Sequence, residues 1–352
     1  MSVVAQRPGN HGRIPSATLL MPEHGTMELR LPTYDDVLAA SERLGNLSVR
    51  TPLIENPVLN DRAGGRVLLK LETLQRVGAF KFRGAYNAIS QLDRSKYPGG
   101  VVACSSGNHA QGVAAAAMMC GMSALIVMPK DAPALKISRT KSFGAEVVTY
   151  DRETEDRDAI ALALCAERNA AFIPPFDHFD VIAGQGTVGL ELMQQADMMG
   201  ARPEAVVAPC SGGGLITGIA LAVKHASPDT EVYCAEPEGF DDFTRSLASG
   251  RRERNTKMTG SICDALLAPT PGELTFEIAK KNLAGGAVVS EEEVRSAIRF
   301  AFQELKLVVE PGGAAGLAAV LSGKLPAYGR TIACVLSGGN VDPALYTEII
   351  NG

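Results

Sequence analysis

Short apolar segments alternate with longer helical patterns along most of this chain. They are bounded by glycine, proline or polar residues and occupy residues 101–104, 124–128, 145–150, 171–174, 205–208, 231–235 and 331–336. Apolar segments of this length between helices are typical of parallel strands that are buried on both faces. The pattern therefore predicts an α/β fold in which helices cover both sides of a parallel, doubly wound sheet.

The helical pattern is clearest at residues 111–119, which are rich in alanine, and at residues 215–224. A short helix is expected to lead to Gly352. Residues 1–32 differ, since proline and glycine recur there with little apolar periodicity. That composition predicts a flexible N-terminal extension ahead of the folded unit.

Composition and charge narrow the possible classes of function. The chain has 352 residues, 46% of them hydrophobic, which is enough for a large core in one or two domains. Its formal net charge of −5 gives no basic footprint for a nucleic acid or an anionic membrane. No apolar stretch reaches the roughly 20 residues that span a bilayer, and no signal-peptide pattern is present. The seven cysteines occur singly, as in a protein of the reducing cytoplasm.

Lys81 lies in the segment GAFKFRGA at residues 78–85, between two phenylalanines. Phe80 and Phe82 would exclude water from the amine, and loss of hydration lowers the pKa of a lysine. A neutral amine can attack an aldehyde to form a Schiff base. An isolated lysine is more often a charged surface residue, but the glycine-rich loops described next favour a covalent cofactor.

Residues 211–214, Ser-Gly-Gly-Gly, follow one apolar segment and precede the helical pattern at 215–224. Glycines let backbone N–H groups converge on an anion, and the helix N-terminus adds a partial positive charge. The spacing fits neither the dinucleotide motif Gly-x-Gly-x-x-Gly nor a Walker A loop. The loop therefore fits a phosphate monoester, and a plain tight turn is the alternative.

Two more polar loops follow predicted strands, SSGNH at residues 105–109 and SGGN at residues 337–340. Such strand ends are where open α/β sheets bind ligands. The hydroxyls and helix-start amides of the first loop suit a carboxylate, and Asn108 could bind a cofactor oxygen. Ordinary N-capping by serine and asparagine is the alternative, and His109 alone is more often structural than catalytic.

An acidic cluster follows the segment 231–235. Glu236, Asp241 and Asp242 supply carboxylate oxygens, which bind Mg²⁺, Mn²⁺ or Ca²⁺ in many proteins. From these residues alone, a solvated acidic loop is the commoner explanation.

Together, the motifs GAFKFRGA, SSGNHAQGVA, AGQGT, SGGGL and LSGGNVD resemble those of the pyridoxal-phosphate serine/threonine dehydratases and serine racemases of fold type II. The resemblance extends over residues 33–342. It implies a tryptophan-synthase-β-like architecture of two open, twisted, mostly parallel sheets covered by helices. A smaller mobile domain, residues 99–179, would be inserted in a larger cofactor-binding domain, residues 33–98 and 180–352. The C-terminal regulatory domain of biosynthetic threonine dehydratases is not expected.

The same resemblance implies a role for each motif. Lys81 would bind pyridoxal phosphate covalently and act as a catalytic base on one face of the substrate, with Ser106 as acid or base on the other. The residues implied to contact the cofactor are Phe80, Lys81, Asn108, Ser211, Gly212, Gly213, Gly214, Leu215, Glu310 and Ser337. Those implied to contact the amino acid are Ser105, Ser106, Asn108, His109 and Thr270. The residues implied to bind a divalent cation are Glu236, Phe240 through its carbonyl, and Asp242.

The implied reaction is dehydration and deamination of a β-hydroxy amino acid, such as L-threonine or L-serine, to a 2-oxo acid and ammonia. An amino acid racemase that uses Lys81 and Ser106 is a second hypothesis. A dehydratase specialised for 3-hydroxyaspartate is a third, and Arg139 or Arg157 could then meet the second carboxylate, although surface roles are commoner. A non-catalytic protein that binds a phosphorylated ligand is the alternative from another class. The resemblance also implies a homodimer, and the single cysteines predict a cytoplasmic location.

Overall fold

The computed structural model describes residues 30–132, 134–151 and 153–352 and places their strands in two sheets. The predicted flexible extension, residues 1–32, lies outside the described residues except for its last three. The strands are β1 (Leu53–Glu55), β2 (Arg66–Leu71), β3 (Val101–Cys104), β4 (Ala124–Pro129), β5 (Glu146–Tyr150), β6 (Ala171–Phe172), β7 (Ala205–Pro209), β8 (Glu231–Pro237), β9 (Gly285–Val289) and β10 (Thr331–Leu336). The larger sheet has the order β1-β2-β10-β7-β8-β9, and the smaller has the order β5-β4-β3-β6.

The sheets are parallel except where β1 pairs with β2. This arrangement confirms the predicted α/β class and the two mostly parallel sheets that the resemblance implied. All seven predicted segments contain a strand, although residues 171–174 shorten to the two residues of β6. Pro174 cannot donate a ladder hydrogen bond, which accounts for the early end. Strands β1, β2 and β9 were not among the predicted segments.

Helices cover both sheets. They are α1 (Tyr34–Leu44), α2 (Pro57–Ala63), α3 (Lys81–Ile89), α4 (Asn108–Met119), α5 (Ala134–Ser142), α6 (Arg157–Arg168), α7 (Phe179–Met198), α8 (Gly214–Ala226), α9 (Asp242–Ser249), α10 (Glu273–Asn282), α11 (Glu291–Gln303), α12 (Pro311–Leu321) and α13 (Pro343–Asn351). None of those among the described residues is long and apolar enough to cross a membrane.

The larger sheet is buried on both faces. Leu68 and Leu69 of β2 are fully buried in different apolar clusters, because successive strand residues point to opposite faces. At the smaller sheet, Phe82 of α3 joins the cluster that contains Val113 of α4 and Ile126 of β4. Strands β3 to β6 all lie within residues 99–179, the predicted smaller domain. Its boundaries and its mobility stay predictions.

Helices α3 and α7 approach each other closely because each has a glycine at the contact. A Cβ at Gly84 would lie 2.7 Å from the Val181 carbonyl oxygen, and a Cβ at Gly184 would lie 2.7 Å from the Gly84 Cα. Such distances leave no room for a side chain unless the backbone moves. The AGQGT motif in α7 therefore fixes the position of α3, whose first residue is Lys81.

Four buried charges also join β2, α3 and α7. Arg83, two residues after Lys81, donates to both oxygens of Glu72 at 2.8 and 2.9 Å and to those of Glu191 at 2.7 and 2.9 Å. Lys70 donates to Glu191 at 2.6 Å. Two positive and two negative groups balance, and each is hydrogen-bonded, which is the condition under which charges can be buried.

Candidate active site

The amine of Lys81 is enclosed at the beginning of α3. Its Nζ donates to the Pro175 carbonyl oxygen at 2.7 Å and lies 5.1 Å from the centre of the Phe80 ring. Burial lowers the pKa of Lys81 to about 8, and the nearby Glu310 carboxylate opposes this shift in part. A larger fraction of this amine is neutral near pH 7 than of an exposed lysine, as its two phenylalanine neighbours predicted.

The lysine segment is tied to the loop after β10. The Phe80 N–H donates to the Ser337 carbonyl oxygen at 3.1 Å, and Ala79 forms an isolated β-bridge with Gly338. Ser337 is itself buried. Two motifs about 255 residues apart in sequence therefore form one local structure around Lys81.

The glycine loop after β7 leads directly into the N-terminus of α8. Gly213 has φ +98°, a conformation that residues with a side chain rarely adopt. A Cβ at Gly212 would lie 2.3 Å from the Phe176 ring, and one at Gly213 would lie 2.4 Å from the Phe243 ring. Phe176 is the neighbour of Pro175, the acceptor of the Lys81 amine, so this short segment connects the glycine loop with the lysine.

The glycine loop is held from outside by the chain before and within α10. The Ser211 hydroxyl accepts the Ala268 N–H at 3.0 Å, and the Thr275 hydroxyl donates to the Gly212 carbonyl at 2.7 Å. Asp177 accepts three N–H groups at the start of α10, at 2.8 to 3.3 Å. These bonds fix the backbone of the loop and leave the first N–H groups of α8 for a ligand. Leu215, which follows Gly214 at the start of α8, is buried.

Asn108, at the start of α4, connects three loops. Its side-chain Nδ2 donates to Glu310 at 2.6 Å, and its Oδ1 accepts from Asn340 at 2.8 Å. Burial raises the pKa of Glu310 to about 7, and the charge of Asp264 adds to the effect. A Cβ at Gly338 would lie 2.3 Å from Glu310 Oε1, so the glycine lets this carboxyl approach the loop after β10. Asn108 and Glu310, both predicted to contact a cofactor, are thus in direct contact.

His109 is part of the core beneath the 105–109 loop. Its Nε2 lies 2.9 Å from the Ile173 carbonyl oxygen, and its buried Nδ1 has no hydrogen-bond partner within the described part of the chain. Burial, together with the charge of Lys81, lowers the pKa of His109 to about 3. The ring is therefore neutral, and since the carbonyl can only accept, the proton is assigned to Nε2. This leaves no N–H for the predicted contact with a substrate carboxylate, which stays a prediction.

The serine pair, Ser105 and Ser106, lies in the loop just before α4. The Ser105 hydroxyl accepts the Gly107 N–H at 3.1 Å, and both Ser105 and Ser106 are half-buried. Helix α4 begins just after them and packs on the start of α3, where a Cβ at Gly112 would lie 3.2 Å from the Lys81 carbonyl carbon. The loop predicted to bind a carboxylate is therefore adjacent to the enclosed amine.

The predicted cation residues lie at the end of β8, at the start of α9 and, for Phe240, in the turn between them. Glu236 accepts N–H groups of Phe243 and Thr244 at 3.0 and 2.7 Å, while Asp242 Oδ1 accepts from Asn255 at 2.5 Å. Asp242 Oδ2 is buried and has no hydrogen-bond partner in the described structure. Burial raises the pKa of Asp242 to about 7 and that of Glu236 well above its usual range. No group of three or more His, Cys, Asp or Glu side chains suited to a metal occurs among the described residues.

Thr270 and Arg157 take part in local contacts. Thr270 is half-buried and donates to the Glu253 carbonyl at 2.8 Å. Arg157 is the first residue of α6, and its Nε lies 3.6 Å from Asp158 Oδ1. About half of the Arg157 side chain is exposed. A substrate contact for either residue stays a prediction.

Comparisons with known proteins agree with this geometry. Residues 46–338 match the family model described as pyridoxal-phosphate dependent enzyme. The chain belongs to that family. It is 43% identical over 323 residues to the L-threo-3-hydroxyaspartate ammonia-lyase of Saccharomyces cerevisiae, covering 92% of this chain and 97% of the relative. The structure of T.th. threonine deaminase matches with TM-score 0.84 and 46% identity, covering 88% and 99% of the two chains. Maize serine racemase matches with TM-score 0.85 and 35% identity, covering 92% and 98%.

The residues present fit the cofactor of this pyridoxal-phosphate family. Lys81 supplies an enclosed amine of lowered pKa. The loop before α8, where Gly212 and Gly213 leave no room for a side chain, supplies backbone N–H groups for a phosphate. The Phe80–Ser337 bond joins the lysine segment to the loop after β10, and Asn108 contacts Glu310, whose carboxylate lies near Lys81. Their individual roles toward the cofactor stay predictions.

The sequence patterns did not predict two residues that organise the site. Asn340 was seen as the last residue of SGGN, but its bonds to Asn108 and to the Val77 carbonyl were not predicted. Asp177 accepts the N–H groups at the start of α10, next to the glycine loop. Aspartates beside helices are so common that the sequence alone does not indicate this role. The position of Asn340 directly after a glycine pair at a strand end was the available signal.

Proposed function

We propose that this protein is a pyridoxal-phosphate-dependent ammonia-lyase that converts a β-hydroxy amino acid to a 2-oxo acid and ammonia. The observation that carries the proposal is the enclosed Lys81 amine, with its pKa lowered to about 8, where the loops after β3 and β10 meet. The names of the yeast and bacterial relatives, hydroxyaspartate ammonia-lyase and threonine deaminase, support elimination as the reaction.

When bound, pyridoxal phosphate supplies an electron sink for the negative charge that develops at the α-carbon. The residues of this chain bind, orient and move protons around it. The N–H groups at the start of α8 would hold the phosphate, and the half-buried hydroxyls of Ser105 and Ser106 would hold the substrate carboxylate. Lys81, as the neutral amine, accepts the α-proton at Nζ.

Elimination then needs a proton for the departing hydroxyl. Lys81 Nζ gives the proton that it took from the α-carbon to this hydroxyl, which leaves as water, so the amine is neutral again. The unsaturated amine that remains takes up one water and gives the 2-oxo acid and ammonia. Enclosure of Nζ, against the Pro175 carbonyl and the Phe80 ring, keeps bulk water from taking the proton. Such a base is expected to contribute on the order of 10²–10⁴ to the rate.

The direct experiment is a substrate panel on the holoenzyme. We expect 2-oxo acid and ammonia in equal amounts from at least one of L-threonine, L-serine and L-threo-3-hydroxyaspartate. A protein that binds the cofactor but releases no 2-oxo acid from any of the three would refute the proposed reaction.

Racemisation is the second candidate, since Ser106 supplies a half-buried hydroxyl in the loop before α4 and maize serine racemase is a structural match. In Ser106→Ala we expect formation of the D-amino acid from L-serine to fall by about 10²-fold, because racemisation needs a proton donor on the face opposite Lys81. Release of 2-oxo acid should fall much less, because the Ser105 hydroxyl still binds the substrate carboxylate. Chiral chromatography and a 2-oxo acid assay on the same samples measure both rates, and Ser142→Ala on α5 is the control. Equal loss of the two rates would contradict this division of roles.

A divalent cation at Glu236, Asp242 and the Phe240 carbonyl is also part of the proposal. The observation that supports it is the buried Oδ2 of Asp242, which has no hydrogen-bond partner among the described residues. Excess Mg²⁺, Mn²⁺ or Ca²⁺ should raise the melting temperature by several degrees, because a ligand at about 100 times its Kd stabilises by about 2.7 kcal/mol.

Asp242→Asn should abolish that rise. Asp241→Asn is the matched control, because the Asp241 carboxylate already pairs with Arg245 at 3.4 Å. An unchanged melting temperature of the wild-type protein with all three cations would contradict the cation site.

The remaining predictions concern assembly and compartment. All seven cysteines are free thiols, six of them buried, which supports a reducing, cytoplasmic compartment. A homodimer is proposed from the family resemblance, and the molar mass in solution checks it.

A further inference from the structure

Helix α5 reaches from the smaller sheet to the loops of the larger sheet around Lys81. Lys136 forms an ion pair with Asp264 at 2.7 Å, and one turn later Arg139 donates to Asn340 Oδ1 at 3.3 Å. Residues three apart in a helix lie on one face. The same face of α5 therefore presents two cations to the segment before Thr270 and to the loop after β10.

The two cations differ in how their charge is balanced. Lys136 is paired with the carboxylate of Asp264. Arg139 contacts only the uncharged amide of Asn340, and its side chain has no carboxylate within ion-pair distance in the described residues. A guanidinium binds a carboxylate through two parallel hydrogen bonds, so an unbalanced arginine at this place suits a further anionic group.

The contact of Arg139 leads directly to the substrate loop. Asn340 donates to Asn108 at 2.8 Å, and Asn108 belongs to the 105–109 loop that holds the amino acid in the proposed function. One side chain thus separates the guanidinium from that loop. Arg139 is also exposed, so its long side chain can turn from Asn340 to a ligand without leaving a buried gap.

We propose that Arg139 is a specificity-determining residue that binds the second carboxylate of a dicarboxylic β-hydroxy amino acid, which deepens and rests on the proposed function. The α-carboxylate lies at the 105–109 loop, and the β-carbon bearing the second carboxylate faces α5. Elimination itself does not need the second carboxylate. Arg139 therefore adds affinity for one class of substrate and takes no part in moving protons.

The test compares two substrates on the holoenzyme variants Arg139→Gln, Arg139→Lys and Lys141→Gln. In Arg139→Gln we expect kcat/KM for L-threo-3-hydroxyaspartate to fall roughly 10- to 100-fold through a higher KM, the size of a lost charge-assisted hydrogen bond. For L-threonine we expect a change of less than about threefold. Arg139→Lys should recover part of the loss, because it keeps the charge.

Lys141→Gln is the matched control, since it removes the same charge from an exposed position on the same helix but two residues away, on another face. It should leave both substrates unchanged. Equal losses with both substrates in Arg139→Gln would mean that Arg139 only supports Asn340, and would overturn the proposal.

A binding measurement separates this proposal from the proposed reaction. L-Aspartate and L-alanine lack the β-hydroxyl, so their Kd values report recognition without elimination. Arg139→Gln should weaken L-aspartate binding by the same 10- to 100-fold and leave L-alanine nearly unchanged. Suppose that the enzyme releases 2-oxo acid from L-threonine, but Arg139→Gln affects 3-hydroxyaspartate no more than threonine and aspartate no more than alanine. The proposed reaction then stands, and the proposed role of Arg139 is wrong. If no 2-oxo acid forms but Arg139→Gln weakens L-aspartate binding selectively, Arg139 binds the second carboxylate and the proposed reaction is wrong.

Discussion

The variant Lys81→Ala should release 2-oxo acid about 10³-fold more slowly than the wild-type enzyme, or not detectably. It lacks the amine that attaches the cofactor, and also the base for the α-proton, which alone is worth about 10²–10⁴ in rate. The absorption band of lysine-bound pyridoxal phosphate should disappear with it. Single-turnover 2-oxo acid assays and absorption spectra of the reconstituted protein measure the two losses.

Folding should survive this change. Lys81 begins α3 and is held there by packing of Gly84 and by Arg83, neither of which is altered, so the melting temperature should stay within a few degrees. Lys96→Ala, at an exposed position, is the control and should keep both activity and spectrum. A Lys81→Ala protein that retained the band and the activity would show that another amine holds the cofactor.

The strands that were predicted correctly are those that a run of consecutive apolar residues is enough to identify. Strand β3 has four consecutive buried residues and no charge, and β10 has five of six buried, so an apolar pattern suffices. Strand β2 was missed although five of its six residues are buried, and one of these is Lys70. Its charge is balanced by Glu191, 121 residues away, and no local pattern reveals such a partner.

Strands β1 and β9 were missed for different reasons. Strand β1 has only three residues, none fully buried, and pairs antiparallel at the edge of the sheet. Strand β9 begins with two glycines, which indicate a turn by their composition. The second is required by packing, since a Cβ at Gly286 would lie 2.1 Å from the Thr244 hydroxyl oxygen. A close approach between distant segments cannot be read from the glycine itself.

The residues of the candidate site also fall into those that adjacent sequence predicts and those that depend on distant partners. Glycine loops and the lysine segment were predictable because their chemistry depends on residues adjacent in sequence. The partners of Asn108 were not, since Glu310 and Asn340 follow it by 202 and 232 residues. His109 shows the opposite case, where a polar residue within a motif is buried and bonded to the Ile173 carbonyl. Burial, which depends on the whole fold, decides whether such a side chain can reach a ligand.

Arg83→Met should lower the free energy of unfolding by about 3–5 kcal/mol, the usual cost of removing one partner from a buried ion pair. The guanidinium is fully buried and balances Glu72, also fully buried, and part of the charge of Glu191. Methionine fills much of the volume but leaves Glu72 without a cation, while Glu191 keeps only Lys70. Urea denaturation of the apoprotein, followed by circular dichroism, gives the difference. Arg62→Met, at an exposed position in α2, is the control and should change stability by less than about 0.5 kcal/mol.

A double variant distinguishes charge imbalance from lost packing. Glu72→Gln in the Arg83→Met background removes the carboxylate that has lost its cation, and the amide can still bond the Thr51 hydroxyl that Glu72 contacts at 2.5 Å. The remaining pair, Lys70 with Glu191, is neutral. The double variant should therefore be more stable than Arg83→Met alone, by about 1–2 kcal/mol, which is the coupling expected for groups in one network. Further destabilisation by the second change would mean that the volume of the guanidinium, and not its charge, holds α3 between β2 and α7.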